Sequence, residues 1–186
     1  MILTDYNKLN ITFCGMMGSG KSIIGSKFAK LINFNFLDTD ALIEKKTGKS
    51  INNIFDNYGE AYFRELEEKY ISNILLKKNY VISLGGGVMN NIRLRNIIKK
   101  KSFNIYLYVN NSILLKRLAN SNKRPLIKNT DMQEKLDELI KKREKYYKKA
   151  DLTIKNCQTI NETINELINK FYINEKKNQF FFKRKK

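Results

Sequence analysis

Gly15-Met16-Met17-Gly18-Ser19-Gly20-Lys21-Ser22 fits the pattern G-x-x-x-x-G-K-[ST]. Glycines let backbone N–H groups turn inward around phosphate oxygens, Lys21 brings a point charge to the β- and γ-phosphates, and the Ser22 hydroxyl can ligate Mg²⁺. The pattern names a nucleotide rather than a reaction. Asp38-Thr39-Asp40 adds carboxylates at i and i+2, which point to one side of an extended chain. At the C-terminal end of a parallel strand they would face a ligand crevice and suit a metal ion and an acceptor hydroxyl. The plainer reading is a pair of loop aspartates, with Asp40 capping the next helix. Arg64 and Glu67 fit either a surface i,i+3 ion pair or a pocket wall. Gly85-Gly86-Gly87 fits either a tight turn or a backbone that must approach a ligand closely. Arg124, before the sole proline, Pro125, could swing over phosphates as an arginine finger or stay solvated. The chain has no histidine, which removes Ser-His-Asp triads, Cys-His dyads and histidine-based metal sites. Cys14 and Cys157 are too few for a zinc site or a disulfide framework.

Strands and helices must carry these groups, and the apolar pattern places them in alternation. Asn10–Cys14 reads as a buried strand that delivers Gly15, and Gly20–Asn33 as the helix behind it. Asn33–Asp38 reads as a second strand, with helices at Asp40–Lys46 and Ile51–Lys78 broken near Gly48 and Gly59. Tyr80–Leu84 is a strand stopped by the triple glycine, followed by a helix at Asn90–Lys101. Asn104–Val109 is a strand and Ser112–Leu118 a helix. Lys123–Asn129 reads as an exposed loop, Asp131–Lys149 as a long charged helix, Leu152–Lys155 as a strand and Asn161–Tyr172 as a closing helix. Alternating strands and helices predict an α/β fold with a parallel sheet covered on both faces. Asn174–Lys186 reads as a loosely ordered basic tail.

At 186 residues the chain is expected to form one domain with its own core. No apolar run reaches the length of a membrane span, and Met1–Asn10 lacks the apolar stretch of a signal peptide. The expected setting is cytoplasmic. The formal charge of +18 raises nucleic acid or an anionic surface as a partner. However, lysine outnumbers arginine about four to one and is spread along the predicted helices. A specific phosphate or base reader leans on arginine. The charge is therefore read as composition bias on a solvated surface that also attracts anionic small molecules.

Taken together, the motifs resemble shikimate kinase. The order is the family's: phosphate loop, Asp-x-Asp, the stretch IFDNYGEAYFRELE from Ile54 to Glu67, a strand ending in triple glycine, and Arg-Pro-Leu at Arg124. The resemblance implies a nucleoside-monophosphate-kinase-like P-loop fold, with a five-stranded parallel sheet of order 2-3-1-4-5, a substrate-binding region near 38–70 and a lid near 119–130. Residues 1–174 would form this domain and 175–186 the basic tail. It further implies ATP-dependent phosphorylation of the shikimate 3-hydroxyl, in the chorismate route to aromatic amino acids, with Mg²⁺ as cofactor, no specific nucleic-acid or membrane partner, and a monomer.

The resemblance also assigns roles. Gly15, Gly18, Ser19, Gly20, Lys21, Ser22 and Arg124 would bind ATP, and Ser22 and Asp38 would serve the metal. Asp40, Arg64, Gly85, Gly86, Gly87 and Arg143 would bind shikimate, while Asp40, Lys21 and Arg124 would carry catalysis. Phe55, Phe63 and Glu67 would line or brace that pocket. One departure concerns the family's second carboxylate-binding arginine. Counting forward to a tyrosine selects Arg143 and Tyr147, whereas counting back from Ala150 selects Lys142 and Tyr146. The alternatives are another small-molecule kinase of the same fold, acting on gluconate or a nucleotide, and a basic nucleic-acid-binding P-loop protein or one whose catalysis has been lost.

Overall fold

The computed structural model describes residues 9–119 and 132–178, with side chains as far as Tyr172. Five strands form one parallel sheet: β1 (Asn10–Cys14), β2 (Asn35–Asp38), β3 (Tyr80–Ser83), β4 (Ser102–Tyr108) and β5 (Leu152–Lys155). Their order is β2-β3-β1-β4-β5, as the resemblance implied. All five residues of β1 are buried, as a central strand covered on both faces requires. It pairs with β3 from Ile11↔Val81 to Phe13↔Ser83 and with β4 from Asn10↔Ser102 to Cys14↔Tyr106.

Alternation along the strands sorts two cores. On one face Ile11, Phe13, Val81, Ile105 and Leu107 pack against α1 (Lys21–Leu31) and α7 (Ile160–Asn178) through Ile24, Phe28, Leu167 and Phe171. On the other, Cys14, Ile82, Leu84 and Tyr106 pack against α3 (Ile51–Leu75), α4 (Ile92–Lys101), α5 (Asn111–Ala119) and α6 (Met132–Tyr147). A small third cluster, Ile43, Ile54, Phe63 and Leu66, joins α2 (Thr39–Thr47) to α3 beyond the strand ends. Full burial of a side chain such as Phe28 is worth about 2–3 kcal/mol. The sheet is thus a rigid base for the loops at its C-terminal edge.

Local chemistry sets the boundaries. The Ser50 hydroxyl accepts from the Asn53 N–H at 3.1 Å and starts α3, and Asn91 accepts from Arg93 and Leu94 to start α4. The second strand begins later than its apolar pattern suggested, because Asn33 takes a left-handed turn at φ 57°. A short 3₁₀ turn at Val88–Asn90 stands where the basic helix was expected to begin. The closing helix does not stop at Tyr172 but runs to Asn178, since the sequence there holds no proline or glycine to break it.

Candidate active site

The phosphate loop leaves the buried end of β1 and enters α1. Gly20, at φ 89°, occupies the left-handed region that a β-carbon disfavours, and it precedes Lys21 without any side-chain cap. A glycine at the cap offers no side-chain acceptor of its own to the first-turn N–H groups of α1, and a helix N-terminus behind a glycine-rich loop is the usual setting of an anion site. Gly15 passes so close to β4 that a β-carbon there would lie 2.7 Å from the Leu107 carbonyl oxygen. Lys21 is buried, and its Nζ donates to the carbonyls of Gly15 at 3.0 Å and Met16 at 2.9 Å. Gly18 and Ser19 complete the loop. The Ser19 hydroxyl is buried without a hydrogen-bond partner among the described residues.

Asp38 ends β2, and its Oδ2 accepts from the Ser22 hydroxyl at 2.5 Å. Its Oδ1 accepts from the N–H groups of Asp40 and Ala41. Asp38, not Asp40, is the cap of α2, and Asp40 lies in that helix's first turn. The extended i, i+2 spacing expected for the pair is therefore replaced by a strand-to-helix corner. Both carboxylates still line one cleft of about 590 Å³ with Lys21 and Ser22. A carboxylate and a hydroxyl, both hard oxygen donors beside a phosphate loop, fit Mg²⁺. Among the described residues no group of three or more acidic, histidine or cysteine side chains could hold a metal by itself. A pair of donors completed by phosphate and water is the usual Mg²⁺ arrangement.

The triple glycine forms the floor of the cleft, and each of its α-carbons lies under a different charged group. A β-carbon on Gly85 would stand 2.7 Å from Asp40 Oδ1 and 2.8 Å from Glu67 Oε1. One on Gly86 would meet Arg143 Nη1 at 3.3 Å, and one on Gly87 would meet the Arg64 guanidinium at 2.5–2.7 Å. Close approach, rather than a turn alone, accounts for the three glycines.

Arg64 donates from Nη1 to Glu67 Oε2 and from Nε and Nη2 to Glu60 Oε1, at 3.1 and 2.7 Å. Phe55 and Phe63 stand at the wall with ring centroids 4.9 Å apart. Burial pushes the Glu67 carboxyl up to about 7, against the pull of the Arg64 guanidinium, and Asp40 adds to the rise. Its Oε1 is buried without a hydrogen-bond partner among the described residues. Burial also pushes the Cys14 thiol up to about 12, so it is a neutral packing group and no nucleophile.

Arg143 lies on α6 and is buried at the cleft, while Lys142 is 66% exposed and pairs with Glu138 at 2.5 Å. One turn on, Tyr147 is buried, and its hydroxyl donates to the Gly86 carbonyl. Arg143 and Tyr147 thus share the inward face of α6, as i and i+4 residues do. Arg124 and the expected lid from residue 120 onward fall outside the described residues.

Two residues not singled out in the sequence stand behind the phosphate loop. Arg117 donates to the carbonyls of Gly18 and Asn156, both at 3.3 Å, and Asn156 donates from Nδ2 to the Ser19 carbonyl at 2.7 Å. Thr163 holds the Asn156 amide in turn, at 2.9 Å. Their roles depend on contacts between distant segments, and neither belongs to a motif that spacing would reveal.

A family model described as shikimate kinase matches residues 17–172. The chain is 38% identical over 160 residues to a shikimate kinase of Caldanaerobacter subterraneus subsp. tengcongensis, covering 86% of this chain and 94% of that one. It is 41% identical over 169 residues to a shikimate kinase of Chlorobaculum tepidum, covering 86% and 88%. Among solved structures, shikimate kinase from Acinetobacter baumannii in complex with shikimate superposes with a TM-score of 0.86 at 32% identity, over 89% of this chain and 94% of that one. A gluconokinase from Sinorhizobium meliloti shares the fold alone, with a TM-score of 0.56 at 14% identity over 90% and 97% of the two chains. The sequence match over most of the chain and the shared fold place the chain in the shikimate kinase family.

Proposed function

We propose that this chain carries out its family's reaction, ATP-dependent phosphorylation of the shikimate 3-hydroxyl, with the cleft residues in the following roles. Lys21 leaves the Gly15 and Met16 carbonyls to neutralise the β- and γ-phosphates, and Gly15, Gly18, Ser19 and Gly20 supply backbone N–H donors. Ser22 and Asp38 hold Mg²⁺, which when bound withdraws charge from the phosphate oxygens. Arg64 and Arg143 take the shikimate carboxylate as fork-to-fork pairs above Gly86 and Gly87. Asp40, beside Gly85, accepts a hydrogen bond from the 3-hydroxyl. The oxygen of that hydroxyl forms a bond to the γ-phosphorus as the bond to the β–γ bridging oxygen breaks. Its electron pair leaves with ADP, and the hydroxyl proton passes to Asp40. Arg124 is proposed to add positive charge at the phosphates.

The convergence of Asp40, Arg64 and Arg143 on one glycine floor beside the phosphate loop carries this reading. Two guanidinium groups beside a carboxylate suit a small acceptor that is both acid and alcohol. The proposed form is a cytoplasmic monomer with ATP as co-substrate. A coupled assay should show ADP release that needs both Mg²⁺ and shikimate, with gluconate, nucleoside monophosphates and nucleic acid inactive. Equal ADP release with and without shikimate would overturn the assignment. Asp40→Asn should bind ATP nearly as wild type while kcat falls by roughly 10²-fold or more. Wild-type turnover in that variant would reduce Asp40 to a first-turn helix residue.

A further inference from the structure

A guanidinium carries five N–H donors in a planar fork. In Arg64 three of them are committed: Nε and one hydrogen of Nη2 to Glu60 Oε1, and one hydrogen of Nη1 to Glu67 Oε2. Among the described residues, one hydrogen remains uncommitted on each terminal nitrogen. Because Glu60 Oε1 spans Nε and Nη2, the remaining Nη2 hydrogen is the one on the side away from Nε. The plane itself rests on Gly87, and the adjacent Phe63 ring lies 5.2 Å from Cζ.

The two carboxylates differ in kind. Glu67 is 2% exposed and lines the cleft, whereas Glu60 is 55% exposed and lies outside the lining. Gly59, at φ 79° and ψ 171°, interrupts α3 immediately before Glu60, so Glu60 opens a new helical segment four residues ahead of Arg64. A negative side chain is favourable there, and i,i+4 spacing lets it reach the guanidinium.

We propose that Glu60 is a positioning residue for acceptor recognition, holding the Nε/Nη2 edge of Arg64 so that the two uncommitted N–H groups are presented to the substrate carboxylate. The proposal rests on the reading of Arg64 as a carboxylate binder. An exposed i,i+4 pair adds little stability of its own. Its value here is that a long side chain is pre-ordered before substrate arrives, which lowers the entropy lost on binding. The hydrogen bonds matter more than the charge, because a second anion near the substrate carboxylate is itself repulsive. A glutamine can keep both bonds, since a single oxygen accepts them.

The test compares Glu60→Ala and Glu60→Gln with wild type, using steady-state kinetics and calorimetric titration of shikimate. Glu60→Ala should raise KM and Kd for shikimate about fivefold or more, the scale of one or two net hydrogen bonds, with KM for ATP unchanged. Glu60→Gln should restore shikimate KM to the wild-type value or slightly below it. Near wild-type binding in Glu60→Ala would reduce the pair to surface decoration. Equal damage in both variants would show that charge, not edge geometry, is what Glu60 supplies. Wild-type turnover on shikimate, measured alongside, tests the functional assignment separately, because the Glu60 result is read from ratios between active variants.

Discussion

Glu67 holds its proton in the folded protein to about pH 7, whereas an ordinary glutamate ionises near 4.5. Between these values the folded state binds more protons than the unfolded one, so the contribution of Glu67 to stability falls as pH rises through that window. It is fully present below 4.5 and lost above about 7. Glu67→Gln removes the titration. Its melting temperature relative to wild type should therefore improve on going from about pH 5 to about pH 8. A constant difference across that range would mean that Glu67 is ionised throughout. At the other arginine, the two countings of α6 give opposite outcomes. Arg143→Ala should raise KM for shikimate and cost roughly 2–3 kcal/mol in kcat/KM, the scale of a lost charged hydrogen bond. Lys142→Ala should stay near wild type, since that side chain faces solvent beside Glu138. Steady-state kinetics on both variants decides between them, and the reverse pattern would place Lys142 in the pocket.

At the level of elements, the glycine turn after β3 is where close packing and the proposed acceptor recognition coincide. In Gly87→Ala the atoms nearest the new methyl group would be the far end of Arg64, which can move, so folding should survive. The displaced fork should raise shikimate KM about tenfold or more. Gly48→Ala is the contrast: among the described residues no atom beyond its chain neighbours and its helix's own backbone lies within 4 Å of an added β-carbon, but φ is 67°. It should cost about 1–2 kcal/mol of stability and leave KM alone. Chemical denaturation together with shikimate kinetics separates the two, and an unchanged KM in Gly87→Ala would detach the floor from recognition. Sequence reading reached β1 at Asn10–Cys14 and β5 at Leu152–Lys155 without error, because apolar runs stopped by glycine or charge are local signals. It reached Arg64, Glu67 and the triple glycine through their motif. It did not reach Glu60 as a partner of Arg64, or Arg117 and Asn156 behind the loop. A lone polar residue acquires meaning only from what another segment brings within about 3 Å. The corner at Asp38 was missed for a similar reason: strand and helix propensities compete there, and the cap decides.

For the molecule as a whole, the charge of +18 is expected to act as a field rather than as a site. Deleting 179–186, which carries Lys183, Arg184, Lys185 and Lys186, should leave kcat and both KM values within about twofold in moderate salt. A large rise in either KM would assign the tail to substrate capture. The strand order has a further consequence, for the time course of folding. The phosphate loop hangs from β1, whose two neighbours lie about 70 and about 90 residues further along the chain. No early, local stretch of the polypeptide contains the finished form of the proposed ligand site: Lys21, Asp40, Arg64, Gly86 and Arg143 meet only when loops of that length have closed. Helical signal should therefore return well before enzymatic turnover when the denatured chain is diluted into buffer. Nucleotide and acceptor can bind only the completed sheet, so they would slow its opening rather than speed its assembly.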